Sequence, residues 1–303
     1  MTAPTEREPM PQVEANGISI EVETTGDPTD PAVILIMGLG FQLIHWTDGL
    51  VNQLAARGFH VIRFDNRDVG LSTWFDDEPD PNMATVWLRS KFGIRPKVAY
   101  TLSDMADDTA GVLDALGIEA AHVVGVSMGG MIAQRLAIEH PDRVLSLCSS
   151  MSSPGQPVGS VSLTMKLMRM EQDPDSREGR IGVGMETFRL IAGNGFDLDE
   201  DHLLEMATAA ADRAWHPVGT NRQMAAIMAD DDRVPALAGL NVPTTVIHGT
   251  DDRLILPKCG RRTADAVPGA ELVLIDGMGH EWPEGTWPQI LNSITDLVER
   301  TAS

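Results

Sequence analysis

Cysteine is nearly absent from this sequence. Cys148 and Cys259 stand far apart, and neither belongs to a C-x-x-C motif. They cannot build a disulfide framework and read as two free thiols in a reducing compartment. Positive charge is scarce too: 23 Lys+Arg face 44 Asp+Glu, for a formal charge of −21, and no basic cluster offsets it. Such a surface repels phosphate backbones and anionic lipid, so neither nucleic acid nor membrane is expected as a partner. Long apolar runs are missing. The longest, Ala32 to Met37, is far too short to cross a bilayer. The opening MTAPTEREPMPQVEANG is polar and Pro-rich, lacks the apolar core of a signal peptide, and reads as a flexible leader to about residue 12. The expectation is a soluble, cytoplasmic protein. A hydrophobic fraction of 43% excludes wholesale disorder, and 303 residues suffice for one large core.

What is present is an alternation of strand and helix. Ile18 to Glu23 alternates apolar and polar residues, as a half-buried strand does. Val33 to Met37 is a short continuous apolar run, the pattern of a strand covered on both faces. A helix is expected between Trp46 and Arg57, closed by Gly58. The strand His60–Phe64 follows, then a helix capped by Ser103 or Asp104 and ended by Gly117. His122–Val126 reads as strand, Met128–Glu139 as helix, and Val144–Cys148 as strand. From about Ser152 to Asp232 strand signal nearly vanishes, and the segment reads as helices joined by Gly/Pro turns. The strand–helix pattern returns near Pro243 with TTVIHG, a helix after Pro257, ELVLID and a last helix from about Trp287 to Arg300. This alternation means α/β architecture with a mostly parallel sheet. The expected organisation is a core in two parts, 1–151 and 235–303, with a helical cap inserted over 152–234.

The chemistry concentrates at Gly125-Val126-Ser127-Met128-Gly129. This G-x-S-x-G follows an apolar strand directly and precedes a helix directly, the setting of a nucleophile elbow. A turn that tight strains the serine backbone and needs slim neighbours so that helix and strand can approach. The hydroxyl then sits at a helix N-terminus, where partial positive charge favours a developing anion.

A serine needs a base, and the base an orienting acid. The loop Thr250-Asp251-Asp252-Arg253 follows one late strand and Gly277-Met278-Gly279-His280 follows the next. Both lie beyond the carboxyl ends of strands, where such sheets carry their sites. Ser127, Asp252 and His280 are therefore expected to converge. Asp252 is preferred to its neighbour Asp251, which reads as a solvated loop carboxylate or a turn-former, and Asp276 reads as a strand-end turn residue. The oxyanion donors are expected to be the Met128 N–H and an N–H of Met37-Gly38-Leu39-Gly40, with Leu39 first and Gly38 and Gly40 next.

Together these residues resemble the α/β-hydrolase superfamily of serine esterase type over about 30–150 and 240–300. MGLG stands where that family usually has His-Gly, and Arg63 to Ser72, RFDNRDVGLS, matches its D-x-R-G-x-G-x-S turn in loosened form. MGLG, RFDNRDVGLS, GVSMGG and GMGH are most similar to the aclacinomycin methylesterase group. That resemblance implies an α/β-hydrolase fold with a cap after the sixth strand, hydrolysis of a small-molecule carboxylic ester, and no metal or organic cofactor. A serine at the elbow disfavours epoxide hydrolysis and dehalogenation, which look to need a carboxylate there. Lactone, thioester or carbon–carbon bond hydrolysis and cofactor-free perhydrolysis stay compatible, as does a non-catalytic ligand-binding relative. The substrate's identity and the oligomeric state stay open. In the insert, Met165, Met168, Met170, Met185, Met206, Met224 and Met228 suit either an adaptable pocket or the interior of a helical lid. FDLDEDH, Phe196 to His202, reads as a helix start with a solvated face.

Overall fold

The computed structural model describes residues 12–168 and 176–301. The proposed leader up to residue 11, and Met170, lie outside them. Nine strands are described: β1 (Val13–Ala15), β2 (Ile18–Ile20), β3 (Val22–Thr25), β4 (Ala32–Ile36), β5 (His60–Phe64), β6 (Ala121–Val126), β7 (Val144–Ser150), β8 (Thr244–Gly249) and β9 (Glu271–Ile275). β1 and β2 form a separate antiparallel pair. The other seven make one sheet in the order β3-β5-β4-β6-β7-β8-β9, parallel throughout except for β3.

The helices are α1 (Asp48–Ala55), α2 (Met83–Lys91), α3 (Leu102–Ala115), α4 (Met128–Glu139), α5 (Val161–Met168), α6 (Arg177–Ile191), α7 (Glu200–Arg213), α8 (Pro217–Ala229), α9 (Val234–Leu237), α10 (Pro257–Ala266) and α11 (Trp287–Glu299). The two-residue period of a strand divides the core into two layers. Ile34 and Ile36 face a cluster with Leu102 and Met105 of α3 and Met131 and Ile132 of α4. Val33 and Leu35 face one with Leu50 and Leu54 of α1 and Ile290 and Ile294 of α11. Covered on both faces, every residue of β4 is buried, which is why its sequence is a continuous apolar run.

Two local expectations are corrected. Ile18–Glu23 is not one strand: at Glu21 the chain leaves the β1 pairing and joins β5. There the Glu21 N–H donates to Ser72 Oγ at 3.0 Å and its carbonyl accepts from the Asp65 N–H at 3.0 Å. The cap of α3 is Thr101, which accepts from the Asp104 N–H while the Asp104 carboxylate accepts from the Thr101 N–H, a reciprocal box that neither Ser103 nor Asp104 could make as cap.

Helices α5 to α9 run between β7 and β8. β7 is the seventh strand in chain order and the fifth of the main sheet, not the sixth, because β1 and β2 stand apart from that sheet. α6 packs along α7, with Met185 against Ile181, Ala207 and Ala211. Met224 of α8 packs on the main core. Met185 thus packs inside the insert and Met224 packs between the insert and the core. Asp199 caps α7 by accepting from the Asp201 and His202 N–H groups, so FDLDEDH is a helix start as its sequence suggests. Among the described residues no helix is long and apolar enough to cross a membrane.

Candidate active site

Strand order reverses between β4 and β6, which are neighbours, so their carboxyl ends open a crevice between connections that leave in opposite directions. Ser127 sits there, between β6 and α4, with φ 55° and ψ −120°. Such a backbone is strained for a residue with a side chain and persists only when its surroundings fix it. The surroundings are visible. The Ser127 N–H donates to Ser150 O at 2.9 Å, and its carbonyl accepts from the Ser152 hydroxyl at 2.7 Å. A Cβ at Gly125 would collide with the Gly129 carbonyl, and one at Gly129 with the Ile36 carbonyl of β4. Both glycines of the motif are there because helix and strand touch backbone to backbone.

The loop after β9 brings His280 to this serine. His280 Nε2 lies 2.9 Å from Ser127 Oγ, and Nδ1 lies 2.7 Å from Asp252 Oδ2. A carboxylate at Nδ1 places the ring proton there, so Nε2 accepts from the serine hydroxyl. Asp252 Oδ1 accepts from the Leu254 and Ile255 N–H groups, both at 2.9 Å. Burial opposes the charge on Asp252, but His280 and His248 outweigh it and hold the carboxyl down at about 2. The three expected residues therefore converge.

Asp251 faces elsewhere. Its carboxylate accepts from the Asn194 backbone and side-chain N–H groups at 3.3 and 3.0 Å, so this partly solvated group also ties two loops together. Asp276 accepts from the Thr250 hydroxyl at 3.1 Å, a turn contact as its position suggests.

Of the two expected oxyanion donors, Met128 opens α4 directly after Ser127 and is fully buried. In the loop after β4, the Gly40 N–H donates to Gln223 Oε1 at 2.8 Å and the Phe41 N–H to Gly38 O at 3.3 Å. The Gly40 N–H is thus committed to α8, which leaves Leu39 and Gly38 of the three expected candidates. Asn66 Nδ2 donates to the Met37 carbonyl at 3.0 Å and fixes the same loop from below.

Sequence reasoning missed several supports. His248 Nε2 lies 2.8 Å from the Ile255 carbonyl and 3.2 Å from Asp252 Oδ2. Both are acceptors, so Nε2 carries the proton and backs the acid. Nothing in a strand-end histidine announces this. Asp65 accepts from the Leu43 and Leu71 N–H groups and from Arg213 at the end of α7. Asp68 accepts from the Phe75 N–H, the Tyr100 hydroxyl and Arg222 of α8. The RFDNRDVGLS turn therefore supports the site and also grips the insert. His45 is half-buried, and its partial desolvation lowers its pKa to about 4, so it is neutral near pH 7.

The sequence profile of the alpha/beta hydrolase fold family matches residues 31–184. Among curated proteins, rhodomycin D methylesterase DauP of Streptomyces sp. (strain C5) is 30% identical over 299 residues, covering 91% of this chain and 93% of that protein. Rhodomycin D methylesterase DnrP of Streptomyces peucetius is 28% identical over 288 residues, covering 88% and 90%. Among solved structures, the enol-lactonase from Burkholderia xenovorans LB400 superposes with a TM-score of 0.73 at 24% identity, over 95% of this chain and 100% of that one. At that identity the likeness concerns the fold.

Proposed function

The chain belongs to the α/β-hydrolase fold family, and on that premise we propose that it is a serine hydrolase that cleaves small-molecule carboxylic esters through an acyl-enzyme. One observation carries this reading: Ser127, His280 and Asp252 stand in hydrogen-bonded series at 2.9 and 2.7 Å, with the serine on a strained turn at a helix N-terminus. The curated relatives, both named as methylesterases, support the choice of ester and make methyl esters the first class to try.

In this reading His280 takes the Ser127 proton as Oγ attacks the ester carbonyl. Asp252 holds the imidazole in the Nδ1–H form and stabilises the imidazolium. The Leu39 and Met128 N–H groups receive the oxyanion; one such donor contributes on the order of 3 kcal/mol to lowering the barrier. His280 then protonates the departing alcohol, and water repeats the sequence on the acyl-enzyme. Residues 152–234 act as a cap that shapes the pocket, gripped by Gln223, Arg213 and Arg222 where they meet the core loops.

The test is steady-state hydrolysis of methyl and p-nitrophenyl esters by wild type and Ser127→Ala. The reading predicts that the variant loses about 10³-fold or more in kcat while remaining folded. Equal turnover by both proteins would remove it.

A further inference from the structure

The loop that carries His280 is anchored by Met278, which is fully buried in the core, but the residues on either side of that anchor are glycines. Gly277 and Gly279 offer no side chains to pack. The loop is also bound, backbone to backbone, by the connection between α6 and α7. The His280 N–H donates to the Ile191 carbonyl at 2.8 Å, and the Gly195 N–H to the Gly277 carbonyl at 2.9 Å. The two segments lie so close that a Cβ on Gly193 would overlap the Gly277 carbonyl and the Gly279 nitrogen, while one on Gly279 would overlap Gly193. Glu281 closes the contact. Its Oε1 accepts from the Gly193 N–H at 3.2 Å and the Gly279 N–H at 3.3 Å, one from each segment. The same connection reaches the loop of the acid through Asn194 and Asp251, and the Asp251 N–H donates to the Met278 carbonyl.

We propose that Ala192–Gly195 and Glu281 form a positioning strap, by which the insert between β7 and β8 holds the His280 loop and the Asp252 loop in register with Ser127. The proposal rests on the serine-hydrolase reading for its catalytic consequence. A displacement of about 1 Å in such a constellation costs on the order of 100-fold in rate, and the only side chain bridging strap and loop at Gly193 and Gly279 among the described hydrogen bonds is Glu281. Burial raises the Glu281 carboxyl above its ordinary range, against the pull of the two N–H groups and of His280. Its other oxygen is buried without a hydrogen-bond partner among the described residues. A carboxylate kept in such surroundings is more than surface decoration, because desolvating it has a cost that the bridge and the neighbouring His280 must offset. Glu281 and the strap are positioning residues: they act through His280 and touch no substrate.

The experiment compares wild type with Gly193→Ala, Glu281→Ala, Glu281→Gln and Asn194→Ala. It measures labelling of Ser127 by a fluorophosphonate probe, the pH profile and kcat and KM of p-nitrophenyl ester hydrolysis, and the low-field proton resonance of His280 Nδ1–H. Gly193→Ala and Glu281→Ala are expected to lower labelling and kcat at least about tenfold with KM within about threefold, to move the acid limb to lower pH, and to broaden or shift the resonance. Glu281→Gln keeps an acceptor oxygen and is expected to restore most of the loss. Asn194→Ala, which leaves the glycine contact intact, is expected to give a smaller change of the same kind should Gly193→Ala fail to fold. Labelling, acid limb and resonance all unchanged in Gly193→Ala and Glu281→Ala would overturn the strap. If wild type itself neither labels nor turns over, the hydrolase reading fails, and the resonance alone decides whether the strap sets the His280–Asp252 geometry.

Discussion

Asp252 is held ionised by two flanking histidines, and only one of them, His280, also reaches the serine. That distinction assigns different weights to two adjacent carboxylates. Asp252→Asn keeps the shape but removes the charge that fixes the Nδ1–H form of His280; kcat for ester hydrolysis is expected to fall by roughly 10³- to 10⁴-fold. Asp251→Asn, whose side chain meets Asn194 rather than His280, is expected to stay within about tenfold in the same assay. A larger loss in Asp251→Asn than in Asp252→Asn would reverse the assignment. The depressed carboxyl also links to stability. A group held at about 2 in the folded state, against 3.8 unfolded, contributes roughly 2–3 kcal/mol. That contribution is present above the unfolded value and is lost as pH falls toward 2. Acid unfolding of Asp252→Asn should be correspondingly less steep between pH 4 and 2.

At the scale of elements, what could be read in advance divides by mechanism. β4 is legible because burial on both faces writes a continuous apolar run, β6 and β8 because short apolar stretches recur in alternation with helices, and α4 because the G-x-S-x-G glycines mark where helix meets strand. Ser127, Asp252 and His280 were legible because loops after late strands must reach the same end of a parallel sheet. The supports were not, since they depend on pairings distant in sequence: Gln223 with Gly40, Arg213 with Asp65, Glu281 with Gly193. Boundaries failed where side chains compete for backbone, as at Thr101, whose box with Asp104 starts α3 earlier than Ser103 would. That cap yields its own prediction. Thr101→Ala leaves the site untouched, so it should lower stability by about 1 kcal/mol in denaturant melts with kcat/KM unchanged. Loss of activity at full stability would mean that α3 does more than pack.

Over the whole molecule, the insert and the core are joined by buried charge. Arg213, from α7, reaches Asp65 at 2.6 Å, and the Asp65 side chain is fully buried. Burial raises the Asp65 carboxyl above its ordinary range even with Arg213 beside it. Removing the arginine leaves a carboxylate that must either take a proton or stay charged without its partner. Arg213→Ala is therefore expected to cost roughly 3 kcal/mol of stability at pH 8 and less at pH 5, because protonation relieves the unpaired charge. A pH-independent loss would locate the effect in packing. The acyl-enzyme is the most direct witness to the whole arrangement, since it needs the elbow, the base, the acid and the oxyanion loop together. The decisive measurement is intact-mass and peptide mass analysis after rapid quench of a p-nitrophenyl ester reaction. A mass gain equal to the acyl group, confined to the peptide containing Ser127 and absent from Ser127→Ala, is the predicted result. Ester turnover with no covalent adduct at Ser127, or with turnover surviving in Ser127→Ala, would contradict it.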